Sequence, residues 1–467
     1  MEIVSIMTRT IIEPELISDA ANRANAYLAT LDDRPVGPES KAIDALRAYL
    51  ADPLAAQPTD PAEVLRDLDH FGSPATIASP GPRFFGFVNG GALPAALAAH
   101  WLISAWDQNA FSFASSPVGA VVEEAALRWL VDLFGLPNET EAAFTTGATL
   151  ANFSALAAAR HRLLANQGWD VEGEGLFGAP PIDVFVSEES HPTVRKGLGL
   201  LGLGRARVHE IPTDADGRIR ADAIPRLPRY SLVCAQAGNV NSGAFDPFPG
   251  LVSACRDAEA WLHVDGAFGL WALASRSKRA LAEGIEGADS WATDGHKWLN
   301  VPYDCGIALV RDAAALRGAM SIQASYLPAD APREPFHSTP EASRRPRGIE
   351  VWAALKSLGR DGVEEMIDRG CAQAEQFAAG LSRAGFTILN EVVLNQVVVD
   401  FGGAETNAAV IDAIQRAGVC WCGPTTWRGR SAMRISVSCW ATEEKDVIAS
   451  LASILECAAE VGARGTR

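Results

Sequence analysis

Short runs rich in β-branched and apolar residues alternate with helical patterns in the middle of this chain, from about residue 92 to residue 311. Such alternation is typical of strand–helix–strand units, whose strands lie parallel in one sheet. The runs that show it best are 182–187, 230–235, 261–265 and 306–310. The segment 116–135 opens with Ser-Pro and closes with Gly, as helices often do. The pattern therefore predicts an α/β fold with a mainly parallel sheet.

The two ends of the chain differ from the middle. Residues 1–75 show apolar positions three and four apart, as amphipathic helices do, but this segment is too short to form its own core. After about residue 346, helical patterns alternate with strand-like runs at 395–401 and 432–438. We therefore predict three parts, which are an N-terminal helical segment (1–75), a large domain (76–345) and a smaller C-terminal α+β domain (346–467).

The charge balance and the cysteines exclude several classes of partner. Among the 467 residues, 40 basic and 57 acidic side chains give a net charge of −17, so we expect no nucleic-acid partner. The N-terminus lacks a signal-peptide pattern, and no apolar run reaches the roughly 18 residues that span a bilayer. We therefore expect a cytoplasmic protein without membrane contact. Cys420 and Cys422 form a close pair without a second pair nearby, so we expect no metal site.

Polar residues with useful chemistry follow the predicted strands. Ligands of open α/β sheets bind beyond the carboxyl ends of the strands. The run 182–187 leads to His191, the run 261–265 ends in Asp265, and a third run leads to His296 and Lys297. A histidine, a carboxylate and a lysine at one edge of the sheet predict an active site there.

The segment T-T-G-A-T-L-A-N, residues 145–152, is a turn rich in Thr and Gly at the start of a predicted helix. The first N–H groups of a helix lack intrahelical partners and carry partial positive charge, so a phosphate group fits there. An ordinary helix cap gives the same pattern, and both interpretations stay open at this point.

Lys297 has two interpretations when it is considered alone. A lysine that forms a Schiff base needs a depressed pKa, and burial or cationic neighbours provide it. His296 precedes Lys297, and apolar Trp298 and Leu299 follow it. The alternative is a solvated surface lysine, as most lysines are.

Several motifs in order resemble one enzyme family. H-V-D-G-A-F at 263–268 is followed by H-K-W at 296–298, and Lys297 lies 32 positions after Asp265. With R-F-F-G-F-V-N-G-G at 83–91 and the turn at 145–152, these segments resemble the group II pyridoxal-phosphate-dependent decarboxylases, which include the aromatic-L-amino-acid and glutamate decarboxylases. The similarity extends from about residue 82 to the C-terminus.

The resemblance implies a fold, an assembly and a cofactor. The fold is that of aspartate aminotransferase, fold type I of pyridoxal phosphate enzymes, with a seven-stranded, mainly parallel sheet. The assembly is a homodimer with active sites at the interface and the N-terminal segment packed on the partner. Lys297 then carries pyridoxal phosphate as a Schiff base, Asp265 pairs with its ring nitrogen and His191 stacks on its ring. The remaining implied cofactor contacts are Ala148, Thr149, Asn239, Ala267 and His296.

The resemblance also bears on the substrate and the reaction. Tyr326 is similar to a loop tyrosine that returns a proton to the substrate carbon, although a packing role for it stays open. Phe87, Val88 and Arg434 are candidate substrate contacts, and Arg434 has a structural role as its alternative. Asp294 departs from the animal aromatic decarboxylases, which have asparagine there, and this leaves a phosphate contact from it open.

We therefore expect decarboxylation of a neutral, aromatic or apolar L-amino acid to an amine and CO₂. Two alternatives remain open from the sequence. The same scaffold also serves aminotransferases and oxidative, aldehyde-forming decarboxylases, and a protein that only binds the cofactor or an amine would need the same residues for binding.

Overall fold

A computed structural model describes residues 13–321, 334–463 and 465. Its centre is a seven-stranded sheet in the order β1-β7-β6-β5-β4-β2-β3. Neighbouring strands from β6 to β3 are parallel, whereas β7 runs antiparallel to both β6 and β1. The strands are β1 (Glu141–Thr145), β2 (Val184–Ser187), β3 (Val208–Ile211), β4 (Leu232–Gln236), β5 (Trp261–Asp265), β6 (Ser290–Asp294) and β7 (Gly306–Val310).

Helices lie between the strands of this sheet in chain order. Every residue of β4, β5, β6 and β7 is buried, as expected for strands covered on both faces. The helices up to residue 320 are α1 (Pro14–Ala29), α2 (Ser40–Tyr49), α3 (Pro61–Asp67), α4 (Pro94–Trp106), α5 (Pro117–Phe134), α6 (Ala148–Ala165), α7 (Val171–Glu174), α8 (Pro192–Leu200), α9 (Phe248–Asp257) and α10 (Ala313–Met320).

Helix α5 illustrates how the sequence sets the bounds of an element. The Oγ of Ser116 accepts a hydrogen bond from the amide of Gly119 at 3.1 Å, which caps the first turn. Pro117 occupies the first helical position, and Gly135 ends the helix in the left-handed conformation with φ 64°. The helix predicted between residues 116 and 135 is confirmed.

A second, antiparallel sheet with strand order β10-β11-β9-β8 lies in the C-terminal part. The kink in α11 occurs at Gly359, which has φ 62° and so interrupts the helical conformation. The elements here are α11 (Gly348–Arg383), β8 (Thr387–Ile388), β9 (Gln396–Asp400), α12 (Ala404–Ala417), β10 (Gly423–Trp427), β11 (Arg430–Ser436) and α13 (Glu444–Glu460).

The structure confirms the predicted α/β class and its mainly parallel seven-stranded sheet. The predicted strands at 261–265 and 306–310 have the expected bounds, and the other two differ by one or two residues. The strands β1 and β3 were not predicted. The domain boundaries near residues 75 and 345 stay predictions.

Helices α1, α2 and α3 differ from the rest because none of their residues is fully buried. In the parts of the chain that the structure describes, no helix is both long enough and apolar enough to cross a bilayer.

Candidate active site

Three strands bring polar side chains to one edge of the large sheet. Gln236 ends β4, Asp265 ends β5 and Asp294 ends β6. Because β7 is antiparallel to both β1 and β6, β1 runs in the same direction as β6, and Gly306 pairs with both Thr145 and Asp294. A cavity of about 390 Å³ lies at this edge.

The turn before α6 lies against the start of β7. A β-carbon placed on Gly306 would collide with the Cα of Gly147, so a glycine is needed for this close approach. Thr146, Gly147, Ala148 and Thr149 line the cavity, and the N-terminus of α6 therefore faces it. This geometry places partial positive charge and helix N–H groups at one end of the cavity.

Asp294 forms the centre of this end. Its Oδ1 accepts a hydrogen bond from the amide of Ala148 at 2.6 Å and lies 3.5 Å from Nε2 of His296. Its Oδ2 lies 3.1 Å from Nζ of Lys297. A carboxylate thus contacts the helix N-terminus, the imidazole and the ammonium at once. We call this group, with Asp265 and His191, the α6 end of the cavity.

His296 is fixed in its tautomer and orientation by two contacts. Its Nδ1 accepts a hydrogen bond from the amide of Cys305 at 3.0 Å, which leaves the proton on Nε2, the atom nearer Asp294. Its ring stacks on that of Tyr303 with centroids 4.4 Å apart. Burial lowers the pKa of His296, although the charge of Asp294 opposes the shift. A neutral imidazole with its N–H at Nε2 can donate a hydrogen bond to an anion.

Asp265 is held in place by the strand that carries it. Its Oδ1 accepts a hydrogen bond from the amide of Ala267 at 3.2 Å. Two positions earlier, the fully buried His263 contacts Ser290 Oγ and Asn152 Oδ1, each at 2.9 Å. Burial lowers the pKa of His263 to about 3, so the ring is neutral. These hydrogen bonds connect β5, β6 and α6, and so fix Asp265 relative to the helix N-terminus.

His191 lies at the start of α8 and lines the cavity. Its Nδ1 is 2.7 Å from the Oγ1 of Thr193 and accepts a hydrogen bond from the amide of Thr193 at 3.3 Å. Burial is the main cause that lowers its pKa, and the charges of Lys297 and Arg434 act in the same direction. A neutral, flat ring is available on this side of the cavity.

Arg434 of β11 does not line this cavity, but it contacts a residue of the cavity wall, and we call the region around it the β11 end. Its Nη1 donates a hydrogen bond to the carbonyl oxygen of Val240, a residue of the cavity wall, at 3.0 Å. Burial lowers the pKa of Arg434 to about 10. This guanidinium forms no ion pair with residues 13–321 or 334–463. A half-buried cation without an anionic partner is suited to binding a carboxylate.

Aromatic rings lie in the segments that lead to the β11 end. Trp421, two residues before β10, stacks on Phe84 with centroids 5.0 Å apart and packs on Phe87 at 5.2 Å. Phe87 and Val88 both have positive φ, 54° and 61°. Such conformations are costly for residues other than glycine, especially for a β-branched one, and they often occur at functional sites.

The structure brings most of the predicted cofactor contacts together. Those that line the cavity are Ala148, Thr149, His191, Asp265, Ala267, His296 and Lys297. Asn239 does not line it, because its Oδ1 accepts hydrogen bonds from the amides of Asn241 and Ser242 in a turn. Asn89 lines the cavity, whereas its predicted neighbours Phe87 and Val88 do not. Tyr326 lies outside the described residues.

Sequence reasoning missed several residues of the cavity wall, among them Gln236 and Tyr303. Gln236 follows the rule that strand ends carry the site, so the correct bound of β4 would have indicated it. Tyr303 donates a hydrogen bond to Oδ1 of Asn89 at 2.7 Å across more than 200 residues of sequence. No local pattern indicates that contact.

The donor set at the α6 end fits pyridoxal phosphate. The cofactor needs an amine for its aldehyde, an acid near its ring nitrogen, and N–H donors for its phosphate. Lys297, Asp265 and the N-terminus of α6 with His296 provide these groups around one cavity. Asp294, which contacts the amide of Ala148, is a group of like charge near the predicted phosphate position.

Comparisons with known proteins agree with this chemistry. The family model described as "Pyridoxal-dependent decarboxylase conserved domain" matches residues 45–401. The chain is 31% identical over 344 residues to the acidic amino acid decarboxylase GADL1 of Homo sapiens, a match that covers 70% of this chain and 64% of that protein. It is 30% identical over 371 residues to the aromatic-L-amino-acid decarboxylase of Bacillus atrophaeus, covering 77% and 75%. The chain thus spans less than two thirds of the human relative.

Solved structures confirm the fold. The crystal structure of Catharanthus roseus tryptophan decarboxylase in complex with L-tryptophan matches with a TM-score of 0.85 and 21% identity, covering 97% of this chain and 100% of that one. The predicted fold type I is therefore confirmed. From the match over residues 45–401, the chain belongs to the pyridoxal-dependent decarboxylase family, and its cofactor is pyridoxal phosphate.

Proposed function

We propose that this protein decarboxylates a neutral, aromatic or apolar L-amino acid to the corresponding amine and CO₂. The observation that carries the proposal is a cavity with charged groups on its wall and a guanidinium in contact with that wall. Lys297, Asp265 and the N-terminus of α6 lie at the α6 end, and the guanidinium of Arg434 lies at the β11 end without an ion-pair partner among the described residues.

Pyridoxal phosphate supplies the electron sink when it is bound. Lys297 provides the amine that holds it covalently, and the negative charge of Asp265 favours a proton on the ring nitrogen. His191 offers a neutral, flat surface to the ring. His296 and the positive end of the α6 helix dipole bind the phosphate. These groups are fixed before binding, which is how a protein contributes to such a reaction.

Arg434 binds the substrate carboxylate in this proposal. The guanidinium is half-buried, and a carbonyl group is its hydrogen-bond partner, so it retains donors for a carboxylate. A cation at a fixed position orients the bond that breaks.

The charges of the cavity favour a neutral substrate side chain. A diacid needs a cation for each carboxylate, and the described cationic or imidazole groups on the cavity wall, Lys297, His191 and His296, are assigned to the cofactor. Arg434 then remains for one carboxylate. Phe84, Phe87 and Trp421 add aromatic surface in the segments beside Arg434, which favours an apolar or aromatic side chain. The named relatives include decarboxylases of both classes, so the substrate must be measured.

We also propose a homodimer with active sites at the interface. Large apolar side chains are exposed on α4 and the start of α5, among them Leu102 at 52%, Trp106 at 44% and Val121 at 56% exposure. Helices α1 to α3 bury none of their residues, which favours packing of this segment on a partner subunit. Light scattering coupled to gel filtration tests the assembly, and a monomeric mass at micromolar concentration would contradict it. The cytoplasmic location stays a prediction.

The reaction is tested by incubating the cofactor-loaded protein with each common L-amino acid and with cysteine sulfinate. CO₂, oxygen uptake and product mass are measured together. An amine with equimolar CO₂, from a neutral substrate and without oxygen uptake, is the expected result. CO₂ from glutamate, aspartate or cysteine sulfinate alone contradicts the neutral class, and an aldehyde with oxygen consumption or a keto acid without CO₂ supports the other outcomes on this scaffold.

A further inference from the structure

Asn300, three residues after Lys297, is a fully buried amide at the meeting point of three chain segments. One segment is the turn 297–300 that carries Lys297. The second is the loop 84–93, and the third is the link 438–440, which joins β11 to α13.

The side chain of Asn300 makes four hydrogen bonds to backbone groups. Its Oδ1 accepts from the amide of Gly91 at 2.5 Å and from the amide of Trp440 at 2.9 Å. Its Nδ2 donates to the carbonyl oxygen of Trp298 at 2.9 Å and to that of Ser438 at 3.0 Å. The amide is therefore satisfied by groups from all three segments.

These four hydrogen bonds require a side chain that both donates and accepts, as the amide of asparagine does. Two N–H groups face one end of the amide and two carbonyl oxygens face the other, so rotation by 180° would place like groups against each other. The backbone of Asn300 also has φ 56°, a conformation that asparagine tolerates better than most residues do. Leucine or valine at this position would lose all four hydrogen bonds and add strain.

The same contacts bring the loop 84–93 onto the backbone of Lys297. The amide of Leu93 donates to the carbonyl oxygen of Asn300 at 2.8 Å, and the amide of Gly90 donates to that of His296 at 3.4 Å. A β-carbon on Gly90 would collide with the carbonyl oxygen of Lys297. The position of Lys297 thus depends on how this loop is held.

We propose that Asn300 is a positioning residue, which sets the Lys297 turn against the loop 84–93 and the small domain. Since Arg434 lies on β11, directly before the link that Asn300 binds, the amide also fixes the separation between Lys297 and Arg434. The inference rests on the proposed function only through the role of Lys297 as the attachment lysine.

The test compares two variants with the wild-type protein. Borohydride reduction converts the bond between Lys297 and pyridoxal phosphate to a stable secondary amine, and mass spectrometry of the peptide measures its rate of formation. Asn300→Gly keeps the positive φ and removes the four hydrogen bonds. We expect its rate of incorporation to fall at least about 10-fold, with kcat lowered about 10- to 100-fold and KM changed less than about 3-fold.

Asn395→Ala is the matched control. Asn395 is equally buried and donates to the carbonyl oxygen of Val437 at 3.0 Å and to Ser438 Oγ at 3.1 Å, without contacting the Lys297 turn. We expect a lower melting temperature and an unchanged rate of incorporation. Equal losses of incorporation in both variants would assign Asn300 a purely structural role. A wild-type protein that incorporates no cofactor contradicts the proposed function itself.

Asn300→Asp keeps the prediction testable if the glycine variant does not fold. It retains the shape and the Oδ1 acceptor, but it places a carboxylate oxygen against two carbonyl oxygens. A protonated carboxyl restores one donor, so the incorporation rate relative to wild type should rise as the pH falls. A ratio that does not change with pH contradicts the role of the donated hydrogen bonds.

Discussion

The α6 end of the cavity and the β11 end beside the cavity wall are built in different ways. At the α6 end, the carboxylate of Asp294 contacts the amide of Ala148, His296 and Lys297, so its charged groups have partners. At the β11 end, the half-buried guanidinium of Arg434 donates to a single described carbonyl, that of Val240. The charges of Asp294 and Lys297 at the first end are paired within the chain, and the second end has a positive charge that a ligand can neutralise.

This difference suggests that the protein binds its cofactor at one end and its substrate carboxylate at the other. The ion pair of Asp294 and Lys297 keeps the cofactor site folded before the cofactor binds, because buried charges are costly without partners. An unpaired guanidinium attracts a carboxylate, and the two form an ion pair when the substrate binds. The contrast predicts that substitutions at the two ends act on different kinetic constants.

The largest effect is expected from Lys297→Ala. The variant lacks the amine that holds the cofactor, so kcat should fall by about 10⁴-fold or more, as when a covalent catalyst is removed. Turnover and mass spectrometry after borohydride reduction measure the loss. Retained covalent cofactor on another lysine, with turnover above a hundredth of wild type, would show that the α6 end is not the site of attachment.

The second effect concerns the β11 end. Arg434→Gln removes the unpaired charge, and kcat/KM should fall about 10²- to 10³-fold because a buried charged contact to the substrate is lost. The affinity for pyridoxal phosphate should change less than about 3-fold. Arg430→Gln is a matched control, since Arg430 lies on the same strand and pairs at the surface with Asp400 at 2.8 Å. Equal effects of the two substitutions would contradict a substrate contact.

The residues of the α6 end are easier to predict from the sequence than those of the β11 end, for a physical reason. Short motifs encode it, because a strand end and the following residues place Asp265, His296 and Lys297 together through local geometry. The β11 end is assembled from Val240, Arg434 and Trp421, which are far apart in the sequence. Only packing joins them, and a motif cannot report such packing.

Two residues show what could not be predicted from the sequence alone. Asn239 follows a strand as the true cavity residues do, but its side chain closes a turn, and strand position alone does not distinguish the two cases. Asp294 was identified as a departure from the related sequences, although its contact with Ala148 required the three-dimensional pairing of β1, β7 and β6.

A third prediction tests the α6 end by removing the negative charge of Asp294. Asp294→Asn keeps an oxygen that can accept from Ala148, but it removes a negative charge next to the predicted phosphate position. We expect the dissociation constant for pyridoxal phosphate to fall about 10-fold, which corresponds to about 1.4 kcal/mol. Fluorescence titration measures it, with pyridoxal as the control ligand without a phosphate. Weaker binding of pyridoxal phosphate would show that the charge of Asp294 supports the phosphate site.

The smallest effect is expected from Phe87→Ala, which tests whether the aromatic group belongs to the β11 end in function. Phe87 is 62% exposed and packs on Trp421, so its loss should not unfold the protein. If the ring contacts the substrate side chain, KM for an aromatic substrate should rise about 3- to 10-fold while kcat stays within about 2-fold, since apolar contacts contribute about 1–3 kcal/mol. Exposed Phe177, at 99% exposure and far from these rings in sequence, gives the control Phe177→Ala. An unchanged KM for both aromatic and aliphatic substrates would mean that Phe87 does not contact the substrate. The β11 end would then recognise the substrate carboxylate through Arg434 and would not select the substrate side chain.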